Sequence, residues 1–458
     1  MAPRAPWLLL LLAPGAAALR ALAGGRNGSR FGGRAYRLQM KNHWDLQYTA
    51  PFSVGGQTMH GIFDTGSFDL VVFSKDCAKC GKARAYDANQ SEHAKLGKRS
   101  RNQNYGSGSC TSIDAKDEVV IGDAVVRAQD MWVAQACEMP LLGEASFTAI
   151  VGLGPPGRAL KLATKKRQEN EKLVVHYEHD GLPLPPAVQD AIKHNKEDLA
   201  DAKKKKELLR SLTTKTLSAC YSRRSGAPGW MIWNDITRHG QPGVKRVPVV
   251  GVITWGVKVG EVGLVDSAGK EMGMSCKDGC GAIVDTGTSL LGVPSIVYNR
   301  ILDILAPDDG ATLDCTHFES LPRLLLTLGD EKFYLPPSAY VGQMTGGLNS
   351  NAVGFMRYTR ETARSRCSLL LMDMGNKKTQ FGPMFILGLP FLRHYYTTFD
   401  LGEWSEDRAL FVSPANDECD PTGEGHLQQF REDLKPMMVD ASKIRVPDWL
   451  KSDEDHVI

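Results

Sequence analysis

The sequence lacks a marked excess of charge of either sign, and it lacks a long apolar segment beyond its N-terminus. Its 55 basic and 52 acidic side chains, with histidine counted as neutral, leave a formal net charge of +3. That balance gives no reason to expect binding to nucleic acid or to an anionic membrane. Because a membrane-spanning helix needs ~20 apolar residues, we expect no transmembrane anchor in the mature chain.

The N-terminus has the layout of a secretory signal peptide. Arg4 precedes an apolar run over residues 7–12, and small residues offer cleavage after Ala18 or Ala23. This run is too short for a spanning anchor, which is the alternative interpretation. Ten cysteines also suit an oxidising compartment, in which disulfides form. We therefore expect removal of residues 1–23 and a location in the secretory pathway, either outside the cell or in an acidic vesicle.

A repeated motif is the most informative feature of the chain. The first half contains Phe63-Asp64-Thr65-Gly66-Ser67, and the second contains Val284-Asp285-Thr286-Gly287-Thr288. Further on, each half carries two aliphatic residues before a glycine, Ile150-Val151-Gly152 in the first and Ile386-Leu387-Gly388 in the second. A repeat of this kind predicts two similar halves, each with one Asp-Thr-Gly turn. We expect the active site to lie between them.

Short strands are predicted for most of the remaining sequence. Val119–Val126 indicates a hairpin around a Gly-Asp turn. Residues 155–215 differ, because apolar side chains recur there at helical spacing within a charged segment; this predicts one or two amphipathic helices entered through Leu182–Pro186. The run Lys203–Lys206 is interpreted as a solvated helix face, with a nuclear address or a polyanion-binding patch as the alternatives. The polar residues 416–458 are expected to form a weakly ordered extension.

The two Asp-Thr-Gly turns also predict a chemistry. One such turn is common where a strand closes, but two at matching points indicate a pair of facing carboxyls, Asp64 and Asp285. Carboxyls ~3 Å apart share one proton, because both cannot ionise cheaply. The ionised partner can deprotonate water while the protonated one donates to a substrate carbonyl. Amide hydrolysis by this pair requires no metal and no cofactor.

Over roughly residues 44–415 the chain resembles the pepsin-like aspartic proteases of family A1. Ala282–Leu291 is similar to that family's second active-site loop almost letter for letter, and Ile386–Asp400 is similar to its C-terminal signature. The resemblance implies a mostly β, bilobal fold of two duplicated β-barrel-like lobes with the active site in the cleft between them. It also implies an aspartic-type endopeptidase, expected as a monomer, that acts on peptide or protein substrates.

The resemblance assigns supporting roles to the residues around the aspartates: Thr65, Gly66, Ser67, Thr286, Gly287 and Thr288. The two threonines that follow the aspartates would brace the two loops against each other, and the glycines would permit close backbone approach. The hydroxyls of Ser67 and Thr288 would hydrogen-bond the outer oxygens of the carboxyls.

A glycine-rich segment, Tyr105-Gly106-Ser107, looks like the flap that folds over bound peptide in this family. Tyr105 would then cover the site, and Ser107 would reach the substrate backbone. Family members usually carry a tryptophan where Val71 stands, and that tryptophan hydrogen-bonds the flap tyrosine. The substitution leaves flap closure without its usual partner.

The resemblance implies disulfides between Cys276 and Cys280 and between Cys315 and Cys367, and it places a short disulfide loop at Cys77 and Cys80. A redox or zinc role for Cys77 and Cys80 is the alternative. For the remaining four cysteines the sequence leaves the pairing open, and one arrangement is Cys110 with Cys137 and Cys220 with Cys419.

The predicted organisation is a signal peptide (1–23), a short basic propeptide (24–43), an N-terminal lobe (44–215) with a charged helical insertion (about 155–215), a C-terminal lobe (216–415) and a polar extension (416–458). An alternative function is that of a catalytically inactive homologue that binds peptides or protein partners through the same cleft. A second alternative is a scaffold or targeting module built on the lysine-rich helix and the extension. Activity would be excluded if the oxygens of the two carboxyls lay far apart, or if a salt-bridged lysine were lodged permanently between them.

Overall fold

A computed structural model describes residues 35–105, 108–237, 241, 243–306, 313, 315–350, 352–357, 367–420 and 434–447. The first half of the chain forms β1 (Tyr36–His43), β2 (Gln47–Val54), β3 (Gln57–Asp64), β4 (Leu70–Ala78), β5 (Lys95–Tyr105), β6 (Gly108–Ile121), β7 (Ala124–Glu138), β8 (Ala149–Gly152), α1 (Arg158–His179), α2 (Pro186–Lys204) and α3 (Leu208–Ser211).

The second half begins with β9 (Thr216–Tyr221), β10 (Gly229–Trp233), β11 (Lys245–Pro248), β12 (Gly256–Val265), β13 (Glu271–Ser275), β14 (Cys280–Val284), β15 (Leu291–Val293) and α4 (Ser295–Leu305). It continues with β16 (Arg323–Leu328), β17 (Glu331–Leu335), β18 (Val341–Thr345), β19 (Ser368–Leu369), β20 (Leu371–Asp373), β21 (Lys378–Thr379), β22 (Gly382–Leu387), α5 (Leu389–His394), β23 (Tyr395–Asp400), β24 (Ala409–Pro414) and β25 (Met437–Asp440).

Two large sheets hold most of these strands, which confirms the mostly β prediction. A 13-stranded sheet runs in the order β11-β24-β23-β9-β10-β1-β2-β3-β8-β4-β7-β6-β5, and a 9-stranded sheet contains β17-β16-β12-β14-β22-β15-β20 with β13 and β21 at its side. A small third sheet has the order β19-β18-β25. Because β10 pairs with β1, and β9, β23 and β24 follow β10 in the same sheet, strands of the second half complete the sheet of the first half.

The internal repeat appears as two equivalent strand arrangements. In the first half β3 pairs in parallel with β8, and Asp64 lies opposite Gly152. In the second half β14 pairs in parallel with β22, and the amide of Asp285 donates to the carbonyl of Leu387 at 3.0 Å. A Cβ added at Gly152 would lie 2.4 Å from the amide nitrogen of Asp69, so a glycine is needed where the loop that follows the aspartate crosses this strand.

The predicted hairpin around Gly122 is present between β6 and β7, with Ile121 opposite Ala124. Gly122 has a φ of 59°, which a glycine adopts without strain.

The charged insertion forms the helix pair α1 and α2, and Leu182–Pro185 lies between these helices rather than before them. The helices are joined by the buried Asn195 side chain, which donates to the carbonyl of Ala163 at 2.9 Å. The lysine run is more than a solvated face: Lys205 forms an ion pair with Asp69, and the Lys206 amide donates to a carboxylate at 2.6 Å. Within the described ranges, no helix combines the length and the apolar character needed to cross a membrane.

All ten cysteines lie in the described part of the chain and pair as five disulfides: Cys77–Cys80, Cys110–Cys137, Cys220–Cys419, Cys276–Cys280 and Cys315–Cys367. The sulfurs of Cys77, Cys80 and Cys137 lie near one another, but each is bonded in a disulfide. They are therefore not thiolate ligands in this state.

The end of the predicted propeptide is part of the fold. Residues 36–43 form β1, which pairs with β10 on one side and β2 on the other. Leu38 and Met40 point into the main core, with exposures of 7% and 0%, while the intervening side chains face outward. Removal of the whole segment 24–43 would therefore take a strand out of the middle of the largest sheet. The signal peptide and residues 24–34 lie outside the described residues.

Candidate active site

The two aspartates meet at the junction of the halves. Asp64 ends β3 and Asp285 directly follows β14; their exposures are 3% and 1%. Each glycine of the two motifs faces the opposite carboxyl. A Cβ at Gly66 would lie 2.5 Å from Oδ2 of Asp285, and a Cβ at Gly287 would lie 2.4 Å from Cγ of Asp64. Only glycine permits this approach, which accounts for the residue after each Asp-Thr.

The two threonines hold the loops together by reciprocal hydrogen bonds. The Thr65 amide donates to Oγ1 of Thr286 at 2.9 Å, and the Thr286 amide donates to Oγ1 of Thr65 at 3.0 Å. Each hydroxyl in turn donates across to the other half: Thr65 to the Val284 carbonyl at 2.9 Å, and Thr286 to the Phe63 carbonyl at 2.7 Å. This geometry is the bracing that the resemblance implied.

The carboxyl oxygens are bound in a similar but not identical way. The amides of Gly66 and Gly287 donate to Oδ1 of their own aspartates at 2.9 and 2.7 Å. The Thr288 hydroxyl donates to Oδ2 of Asp285 at 2.6 Å, as expected. The corresponding expectation for Ser67 is not met. Its buried hydroxyl has no hydrogen-bond partner among the described residues.

Arg445 occupies the equivalent position on the first carboxyl. Its Nη2 donates to Oδ2 of Asp64 at 3.0 Å, and both side chains are 4% exposed. Arg445 belongs to the C-terminal extension, so the prediction that this extension is weakly ordered is wrong for residues 434–447. The error has a physical cause. Among the polar residues, four small or aliphatic side chains are spaced so that they bury together: Val439, Ala441, Ile444 and Val446.

The electrostatic environments of the two carboxyls differ. Burial, and then the adjacent Asp64 carboxylate, raise the pKa of Asp285 well above its usual value. The guanidinium of Arg445 lies against the Asp64 carboxyl, and Asp285 has the Thr288 hydroxyl at the matching oxygen. The protonated form is therefore favoured at Asp285, and a carboxyl that keeps its proton is one half of a pair that shares a single proton.

The flap prediction is only partly within the described residues. Strands β5 and β6 form the hairpin, with Tyr105 opposite Gly108. Gly106, Ser107 and the side chain of Tyr105 are not among the described parts of the chain. Val71 is buried on β4, in register with Trp132 on β7, so a tryptophan stands one strand away from the expected position. The guanidinium of Arg101, on the flap strand β5, lies 5.9 Å from the centre of the Trp132 ring.

Comparison with known proteins identifies the family of the chain. The family model for eukaryotic aspartyl protease matches residues 47–177 and 210–405. The chain belongs to that family. Similar curated proteins include pepsin A of Bos taurus, 26% identical over 79% of this chain and 84% of the relative. Gastricsin of Suncus murinus is 28% identical over 81% and 83%, and pepsin-2B of Gadus morhua is 27% identical over 79% and 95%.

Membership confirms the pepsin-like, bilobal interpretation of the repeat. The matched ranges also show which segments of this aspartyl protease homologue lie outside the family model. The family model leaves out residues 178–209, which include α2, and it ends before the segment that carries Arg445. Sequence reasoning missed Arg445, although the spacing of Val439, Ile444 and Val446 was a signal for an ordered segment.

Proposed function

We propose that this chain is an aspartic-type endopeptidase in which Asp64 and Asp285 hydrolyse peptide bonds through an activated water. The observation that carries the proposal is the pair of buried carboxyls held face to face by the reciprocal threonine bonds. Asp64 would act as the general base on water, and protonated Asp285 would donate to the carbonyl of the scissile peptide. The raised pKa of Asp285 supports this assignment.

The test is a peptide-library digest across pH with and without pepstatin, on wild type and two variants. Asp64→Asn and Asp285→Asn should each lose turnover, because either change removes half of the acid–base pair. Asp303→Asn is the matched control, since this aspartate is exposed on α4. Full activity in either dyad variant would refute the proposal.

A second candidate function is favoured by Arg445. A catalytically inactive homologue would keep the carboxyl pair as a docking site, and the structure has a basic side chain seated on Asp64. In that case neither the whole chain nor a form lacking the extension would turn over substrate at any pH. Turnover by either form decides for the enzyme.

The proposed setting is the secretory pathway, with peptides or proteins as substrates. Five disulfides in one chain support an oxidising compartment. A mature protein purified from culture medium or from acidic vesicles, with an N-terminus after Ala18 or Ala23, is the expected result; reduced protein in the cytosol would contradict it.

A further inference from the structure

We propose that residues 434–447 form a built-in inhibitor that occupies the active-site cleft in place of substrate; this rests on the proposed endopeptidase function. The segment, here named the C-terminal strap, follows a point where the chain is fixed to the body of the protein. Cys419 is bonded to Cys220 of β9, and Arg37 of β1 pairs with Asp420 at 3.3 Å. The strap therefore follows, later in the sequence, a point at which the chain is covalently fixed to β9.

The first part of the strap docks on the second half of the protein. Its strand β25 pairs in parallel with β18, from Met437 opposite Gly342 to Asp440 opposite Thr345. The Asn349 side chain then donates to the carbonyl of Ile444 at 2.9 Å. These contacts are backbone-directed, as expected where an extended peptide is held.

The second part of the strap reaches the aspartates themselves. The Arg445 amide donates to the Ser289 hydroxyl at 2.8 Å, and the Ser289 amide donates to the Arg445 carbonyl at 3.1 Å. Ser289 lies four positions after Asp285, so the strap backbone runs along the second active-site loop. The Arg445 side chain crosses from there to Asp64 of the other half.

The strap also contacts the first half through Trp44 and Leu46. The ammonium of Lys443 lies 5.2 Å from the centre of the Trp44 ring, and Leu46 packs in one apolar cluster with Ile444 and Val446. The strap thus bridges both halves across the line where they meet.

The docked strap blocks the access of substrate and water to the two aspartates. A substrate carbonyl and a water must both reach the carboxyl pair, yet Asp64 and Asp285 are 3% and 1% exposed. Arg445 holds an oxygen of Asp64 and compensates its charge. With the strap in place the general base is engaged by the protein's own chain, so substrate requires the strap to leave.

A binding experiment tests the strap without relying on turnover. The receptor is a chain ending at Asp420 and carrying Asp285→Asn, which keeps Asp64 and cannot consume the probe. The probe is a fluorescently labelled peptide of residues 434–447. We expect saturable binding that pepstatin displaces, at least about tenfold weaker for the Arg445→Ala peptide. The Lys435→Ala peptide is the matched control, because this exposed lysine lies in the same segment, and its affinity should be unchanged.

Turnover is then compared between the whole chain and the chain ending at Asp420, both with native aspartates. We expect at least about tenfold faster cleavage after truncation, reversed by added strap peptide. Peptide binding without turnover in any form would leave the strap assignment standing and overturn the endopeptidase proposal. Equal turnover of both forms, with no displaceable peptide binding, would overturn the strap and leave the enzyme standing.

Should the truncated chain fail to fold, full-length Arg445→Ala provides the test. Its affinity for pepstatin should exceed that of the wild type by at least about tenfold, with full-length Lys435→Ala as the control. Equal affinity in all three proteins would overturn the proposal.

Discussion

The Asp64→Asn substitution separates the two partners of the Arg445 ion pair. It removes the carboxylate that faces a guanidinium only 4% exposed. Breaking a buried pair by removing one partner costs about 3–5 kcal/mol, because the remaining charge is left uncompensated. Undocking of residues 434–447 takes Arg445 to water and avoids this cost. Since about 1.4 kcal/mol is a factor of ten, the docking equilibrium should shift by about 140-fold to 3,700-fold.

Hydrogen exchange followed by mass spectrometry measures that shift. Amides of β25 and of its partner β18 should exchange faster in Asp64→Asn by a factor within this range, while β3 and β14 stay protected. Asp285→Asn is the matched control, because it also removes one carboxyl of the pair but leaves the Arg445–Asp64 contact. Identical exchange of β25 in the two variants would refute the argument that Asp64 holds the segment in place.

Two further predictions concern the carboxyl pair and its brace. Because the pKa of Asp285 is raised in the folded state, folding binds a proton more tightly there, so stability falls as pH rises from the unfolded value, about 3.9, through the folded one. Asp285→Asn should therefore raise the free energy of unfolding at neutral pH, and this gain should vanish near pH 3 to 4. Urea titrations at a series of pH values measure the gain. A gain that does not change with pH would contradict the prediction. Thr286→Val leaves the buried Thr65 amide and Phe63 carbonyl without their partner, at about 1–3 kcal/mol per group. Thr286→Ser, which keeps the hydroxyl, should stay close to wild type by chemical denaturation, and equal losses in both variants would show that the hydroxyl bonds carry no stability.

The part of the site that the sequence predicts is the part encoded locally. Each Asp-Thr-Gly turn supplies its own carboxyl, its hydroxyl brace and the glycine that allows close approach, so recognising two copies places most of the polar groups. The pairing of Cys220 with Cys419 could not be derived in this way, because the two lie 199 positions apart and nothing in the sequence excludes other partners. Arg445 is a stronger case. It meets Asp64 across 381 positions, inside a segment whose average polarity hides its buried aliphatic side chains.

The arginine that reaches Asp64 comes from the C-terminal segment and not from the basic N-terminal segment. The predicted propeptide, residues 24–43, is basic and could in principle supply an arginine to the acidic site. Arg37, however, is held at the outer face of β1, where it pairs with Asp420 and lies 4.5 Å over the ring of Trp230. Its strand is fixed in the sheet by the core side chains Leu38 and Met40, so it cannot turn toward Asp64. The opposite end of the chain is under no such constraint, because β25 is an edge strand of a three-stranded sheet. An edge strand can be added or removed without disrupting the two large sheets. The positive charge that faces Asp64, the candidate base, therefore belongs to a segment that can leave the site. For this reason the Arg445 contact is compatible with an active enzyme.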